Sequence, residues 1–181
     1  MLKTDRVMLR QWRASDREPF AVLNADSEVM RFFDRPRCRA ESDATADRLE
    51  AHIDKHGFGF WAAELISSGE FIGFVGIENT PDDLPCSPAV EIGWRVHKRF
   101  WGKGLAPESA RACLVYAFSK LQLEEVVSFT AKSNSPSIRV MEKIGMRRDK
   151  AGDFDHPAIP EDHPVRPHVF YRIGRNDPIA F

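Results

Sequence analysis

Cysteine is scarce in this chain, and the three present, Cys38, Cys86 and Cys113, are spaced too widely for a disulfide framework or a zinc site. A reducing, cytoplasmic setting is the expectation from that usage. No stretch approaches the roughly 20 apolar residues of a membrane span. The opening residues MLKTDRVMLRQW carry charges where a signal peptide is apolar, so nothing exported or membrane-embedded is expected. Nor does one sign of charge dominate: 26 basic residues against 27 acidic ones leave a net charge of −1, which argues against a broad nucleic-acid-binding surface. The pattern G-x-x-x-x-G-K-S/T is absent as well, which sets aside a P-loop kinase or phosphatase.

With 43% hydrophobic residues in 181, the chain has enough material for one core and too little for two ordinary ones, so one domain spanning 1–181 is expected. Arg6 to Trp12 alternates as a strand does. Ser15-Asp-Arg-Glu18 then matches a capping box, so a helix should start there and turn Phe20 and Leu23 inward. A second helix is expected over Arg39 to His56, with Ala46, Leu49 and Ile53 on one stripe and Gly57 as its stop. Phe58–Ile66 and Phe71–Glu78, divided by Ser67-Ser68-Gly69, read as an antiparallel hairpin, and the proline-bearing stretch 79–88 as a loop. Further on come a strand at Glu125–Thr130, a helix from Ser135-Pro136 to Ile144, an irregular Asp/His/Pro-rich stretch over 149–167, and a strand at His168–Ile173.

The most informative segment is Val90 to Ala106, VEIGWRVHKRFWGKGLA. An apolar alternation of Val90, Ile92, Trp94 and Val96 runs into the basic glycine turn Arg99-Phe-Trp-Gly102-Lys-Gly104, followed by a helix expected from about Pro107 to Leu121. Glycines allow main-chain N–H groups to close on an anion, and a helix N-terminus adds roughly half a positive charge. A phosphorylated ligand is expected at this turn, with Trp101 bracing it.

The pair Arg99-x-x-Gly102-x-Gly104 and Asn134-x-x-Ser137, in that order, resembles the GNAT superfamily of acetyl-coenzyme A-dependent N-acetyltransferases. The wording EIGWRV, WGKGLAPE and NSPSIRVMEKIGM is most similar to the branch containing the ribosomal-protein N-terminal acetyltransferases. The resemblance covers roughly residues 5 to 175. It implies an α/β (α+β) GNAT fold, in which a mixed, mostly antiparallel sheet of about seven strands splays at its centre and is flanked by about four helices. It also implies that acetyl-CoA lays its pyrophosphate on Arg99, Gly102, Lys103, Gly104, Leu105 and Ala106, and its pantetheine along Trp94 to Val96. A main-chain N–H near Val96 would then polarise the thioester carbonyl.

Asn134 and Ser137 would complete the donor site, with Arg139 and Lys103 as candidates for the ribose phosphate. Many family members carry a tyrosine seven residues after the asparagine; here that position is Met141, so the leaving thiolate draws its proton from Ser137 or from solvent. Glu91, a carboxylate within an apolar strand, is the candidate base, with a structural pairing to Arg95 as the alternative. The expected acceptor is a primary amine, either a peptide N-terminus or a small molecule, attacked directly in a ternary complex. A non-catalytic acyl-CoA-binding sensor is the rival reading, and a homodimer is compatible with either. His156, His163 and His168 with Asp153 and Asp155 match no metal spacing, and Cys113 reads as inert packing.

Overall fold

A computed structural model describes residues 1–180. Its elements, in chain order, are β1 (Leu2–Lys3), β2 (Val7–Arg10), α1 (Arg17–Ala25), α2 (Arg39–His56), β3 (Phe60–Leu65), β4 (Phe71–Asn79), β5 (Val90–Val96), α3 (Leu105–Ser119), β6 (Glu125–Ala131), α4 (Ser135–Lys143), β7 (Arg147–Arg148), β8 (Phe154–Asp155) and β9 (Pro167–Gly174). Among the described residues they form a nine-stranded sheet in the order β1-β2-β3-β4-β5-β6-β9-β7, with β8 also on β9. Every pairing is antiparallel except β5 with β6. The sheet exceeds the expected seven strands because β1, β7 and β8 are two residues long, too short to show any periodicity.

Helices cover both sheet faces. On one face Phe20 and Leu23 of α1, with Ala46 and Leu49 of α2, pack on Phe60, Ala62, Phe71 and Phe74. On the other, Leu105, Ala110, Leu114, Ala117 and Phe118 of α3 and Met141 of α4 pack on Leu9, Trp61, Ile72, Val75 and Ile92. Strand β4 lies between these layers and is buried from Phe71 to Glu78, as a strand covered on both faces must be.

Two local expectations are corrected. The capping box does not form on Ser15 and Glu18: a 3-10 turn at Ala14–Asp16 precedes α1, and the Asp16 carboxylate accepts from the Arg13 main-chain N–H at 2.8 Å. The same carboxylate takes both ends of the buried Arg10 guanidinium, at 2.7 and 2.9 Å, which fixes Asp16 at this position, while Glu18 pairs with Arg39. Helix α3 begins at Leu105, so Pro107 is its third residue rather than its first. That is tolerated because the N–H groups of a helix's first turn have no intrahelical acceptor. Helix α4 starts at Ser135 as expected, with Asn134 as its cap.

Candidate active site

Strands β5 and β6 part company at the centre of the sheet. They share one registered pair, Glu91 with Val127, and beyond it the Ser128 hydroxyl donates to the Ile92 carbonyl at 2.9 Å. On the other side of β5, the His97 N–H bonds the Ile72 carbonyl of β4 at 2.9 Å, so the odd-numbered residues of β5 face β4. The main-chain groups of Ile92, Trp94 and Val96 therefore point toward the gap. Trp101 donates its indole N–H to the Val96 carbonyl at 2.7 Å, which ties the turn to the strand as expected and leaves the Val96 N–H as the group facing the opening.

After a 3-10 turn at Lys98–Phe100, the chain passes through Gly102 at φ 73° and Gly104 at φ 75°, both left-handed, and enters α3. Only glycine takes this conformation without steric cost. The N–H groups of Gly102, Lys103, Gly104, Leu105 and Ala106 have no acceptor among the described residues. The turn is held instead from outside: Arg6 donates to the Lys103 carbonyl at 2.9 Å and to the Glu108 carboxylate at 2.6 Å, and Glu108 also accepts from Thr4 at 2.6 Å. This external brace escaped the sequence reading, since Thr4 and Arg6 lie about a hundred residues from the turn.

At the head of α4, the Asn134 side chain accepts from the Ser137 N–H at 3.2 Å and donates to the Ser137 hydroxyl at 3.1 Å and to the Thr130 hydroxyl at 2.8 Å. The Ser137 oxygen thus acts as an acceptor within the protein, and its own proton is free to be donated outward. Met141 is buried beside it and offers no proton.

One cleft of about 910 Å³ joins these features. It brings together Glu91, Trp94, Val96, Gly102, Gly104, Leu105, Ala106, Asn134, Ser137 and Arg139. The side chains of Arg99 and Lys103 are not in its lining: Arg99 pairs with Glu70, and the Lys103 ammonium lies 5.3 Å from the centre of the Phe100 ring.

Beyond the split, the lining changes to side chains on the α1/α2 face of the sheet. Glu91 stands opposite Glu78 in the β4–β5 register. Burial, and then the neighbouring Glu78 charge, push the Glu91 carboxyl up to about 8. Glu78 is itself raised by burial and accepts from Arg48 at 2.5 Å. The alternative pairing of Glu91 with Arg95 does not form. Four residues of strand, about 13 Å, separate them, and Arg95 turns instead to the Asn24 side-chain carbonyl at 2.6 Å. The late stretch supplies the far wall with His156, Ala158, Ile159 and His168. Burial holds both histidines below the usual imidazole range, and the His168 Nδ1 lies 2.9 Å from the Arg166 carbonyl. No metal-binding cluster occurs among the described residues. Among the same residues no helix is long and apolar enough to cross a membrane.

The model of the acetyltransferase (GNAT) domain matches residues 6–147. The chain belongs to the GNAT acetyltransferase family. Acetyl transfer is the family's chemistry and acetyl-CoA its donor, which favours an enzyme over the passive binding module. The Bacillus subtilis (strain 168) protein YkkB is 34% identical over 150 residues, covering 82% of this chain and 86% of that one. An FsC-acetyl coenzyme A-N(2)-transacetylase from Aspergillus fumigatus is 34% identical over 152 residues, covering 80% of this GNAT chain and 64% of its own length. A GNAT-family acetyltransferase structure from Bacillus anthracis superposes with a TM-score of 0.79 at 26% identity, over 96% of this chain and 98% of that one.

Proposed function

We propose that this GNAT enzyme transfers the acetyl group of acetyl-CoA directly to a primary amine while both substrates occupy the cleft. The observation that carries this reading is one continuous cavity with five acceptorless main-chain N–H groups at one end and a carboxyl titrating near 8 at the other. The first set suits a pyrophosphate. The Val96 N–H, facing the split, suits the thioester oxygen as negative charge develops there. Such a contact is worth about 3 kcal/mol in favourable cases.

A protonated amine cannot attack. An α-amino group has a pKa near 8, so Glu91, pushed up to about 8, exchanges a proton with it at almost no free-energy cost. The amine nitrogen then bonds to the carbonyl carbon and gives up its second proton to water, the C–S bond breaks, and the thiolate takes a proton from water, either directly or through the Ser137 hydroxyl, which water reprotonates. A peptide N-terminus and a small amine both meet these requirements. An acyl-cysteine route has no support here, because Cys113 is fully buried with its thiol pushed up by desolvation and none of the three cysteines lines the cleft.

Calorimetric titration with acetyl-CoA, followed by thiol release measured over a panel of amines and peptides, tests the proposal. Binding together with acceptor-dependent release is expected. Absence of acetyl-CoA uptake by folded protein defeats it.

A further inference from the structure

The acceptor wall holds a cation that the fold leaves without an anion. Arg95 projects from β5 into the cleft on the α1/α2 side, sandwiched by the Phe33 and Phe74 rings at 4.3 and 5.4 Å. Its one hydrogen bond goes from Nη1 to the neutral Asn24 side chain at 2.6 Å. The Nε is buried without a partner, so the whole Nε–Nη2 edge lacks an acceptor among the described residues. Other arginines show what this chain does when a guanidinium is structural. Arg10, which is buried, is met by Asp16 and Glu64, and Arg37, which shares the cleft lining, is met by Asp34 at 2.5 Å. Sequestering a charge without a counter-ion is costly, and the Nε–Nη2 edge can grip a carboxylate through two parallel hydrogen bonds.

Placement along the strand agrees. Glu91, Gly93 and Arg95 share one sheet face, with Glu91 and Arg95 about 13 Å apart along the backbone and the Phe60 ring packed over Gly93 between them. A second guanidinium, Arg31, lies at the same cleft over Phe32 and Trp101 with no carboxylate partner among the described residues. The field on this wall favours a negatively charged substituent and opposes a polycation.

We propose that the acceptor is an amine that also bears a carboxylate, with the amine directed to Glu91 and the carboxylate seated on the Nε–Nη2 edge of Arg95. This rests on the acetyl-transfer reading above and specifies its substrate class.

The test compares kcat/KM for ω-amino acids from glycine to 6-aminohexanoate, each against its own amide, with spermidine as the polycationic reference. At the chain length that fits, the carboxylate is expected to exceed its amide by about tenfold or more, with spermidine the poorest acceptor. Arg95→Gln should bring the matched pair to within about twofold while the acetyl-CoA Kd is unchanged, and Arg95→Lys, which keeps the charge but not the fork, should retain part of the preference. Equal or better turnover of the amides at every length overturns the inference, as does a preference that survives in folded Arg95→Gln. Should that variant fail to fold, the wild-type pairs decide. Acetyl-CoA calorimetry separates the two levels. Lack of uptake removes the acetyl-transfer reading itself, whereas uptake and turnover without a carboxylate preference remove only the acceptor class.

Discussion

The two ends of the cleft are made of different material. The donor end is main chain: the glycine turn at 102–104, the first turn of α3 and the edge of β5 present N–H groups, and the side chains of Arg99 and Lys103 point elsewhere. The end proposed for the acceptor is side chain: Glu91 and Arg95 from β5 face the cleft, with Glu78 of β4 and Arg48 of α2 behind the first and the neutral Asn24 of α1 beside the second. A main-chain site for a fixed cofactor tolerates almost any residue except where backbone conformation is demanding. A side-chain site can be re-specified by single substitutions.

Substitutions at the two ends should therefore fail in different ways. Gly104→Val, at φ 75°, forces a β-branched residue into the left-handed region. It is expected to weaken acetyl-CoA binding by on the order of a hundredfold or more, read by calorimetry, and to lower stability by roughly 2 kcal/mol. Glu91→Gln should do the reverse: kcat falls by about 10²-fold while the acetyl-CoA Kd stays within about twofold. In the wild type kcat/KM should rise with pH through about 8, and this limb should vanish in the variant. If the limb persists, another group is the base.

The same carboxyl makes a stability prediction. Because its folded pKa lies above the ordinary carboxylate value, its contribution to stability is complete at acid pH and is lost as pH rises through about 8. Glu91→Gln should accordingly be more stable than wild type at pH 8.5, by on the order of 2 kcal/mol, with the gap closing near pH 4, as thermal melts would show. Asn134→Ala removes the α4 cap and the donor to Ser137. It should cost about 1 kcal/mol and lower kcat more than it raises the KM for acetyl-CoA. The smallest effect is expected from Lys103→Ala: with its ammonium over Phe100 rather than in the cleft, the acetyl-CoA KM should move by less than about threefold. A large rise would return that side chain to the donor site.

The same contrast explains what was legible in the sequence. The donor end is contiguous, so its alternation, its two glycines and its helix start are visible in order between Val90 and Ala106. The six longer strands and the four helices show in the same way, because each carries its own period. The start of α1 slipped because a partner on another element sets it. Asp16 replaces Ser15 at the start of α1 because the buried Arg10 requires a carboxylate there. The brace of Thr4, Arg6 and Glu108 on the glycine turn, and the pairing of β7 and β8 with β9, are likewise long-range.

At the other end, the sequence singles out Glu91 because a carboxylate interrupts an apolar strand, and of its two readings the pairing with Arg95 is the one that does not form. Arg95 carried the same signal on the same strand. What set the roles of the two residues was the register that places Glu78 opposite Glu91, and the packing of α1 that brings Asn24 to Arg95.

By itself, then, the amino-acid order determined the elements, the family and the glycine turn, since each depends on neighbours within a few residues and on backbone conformations that only particular side chains permit. The tertiary structure alone decided which charges are compensated and which are left facing the cleft. Desolvation and pairing depend on what lies within a few ångströms in space, and most of those neighbours are tens of residues away along the chain.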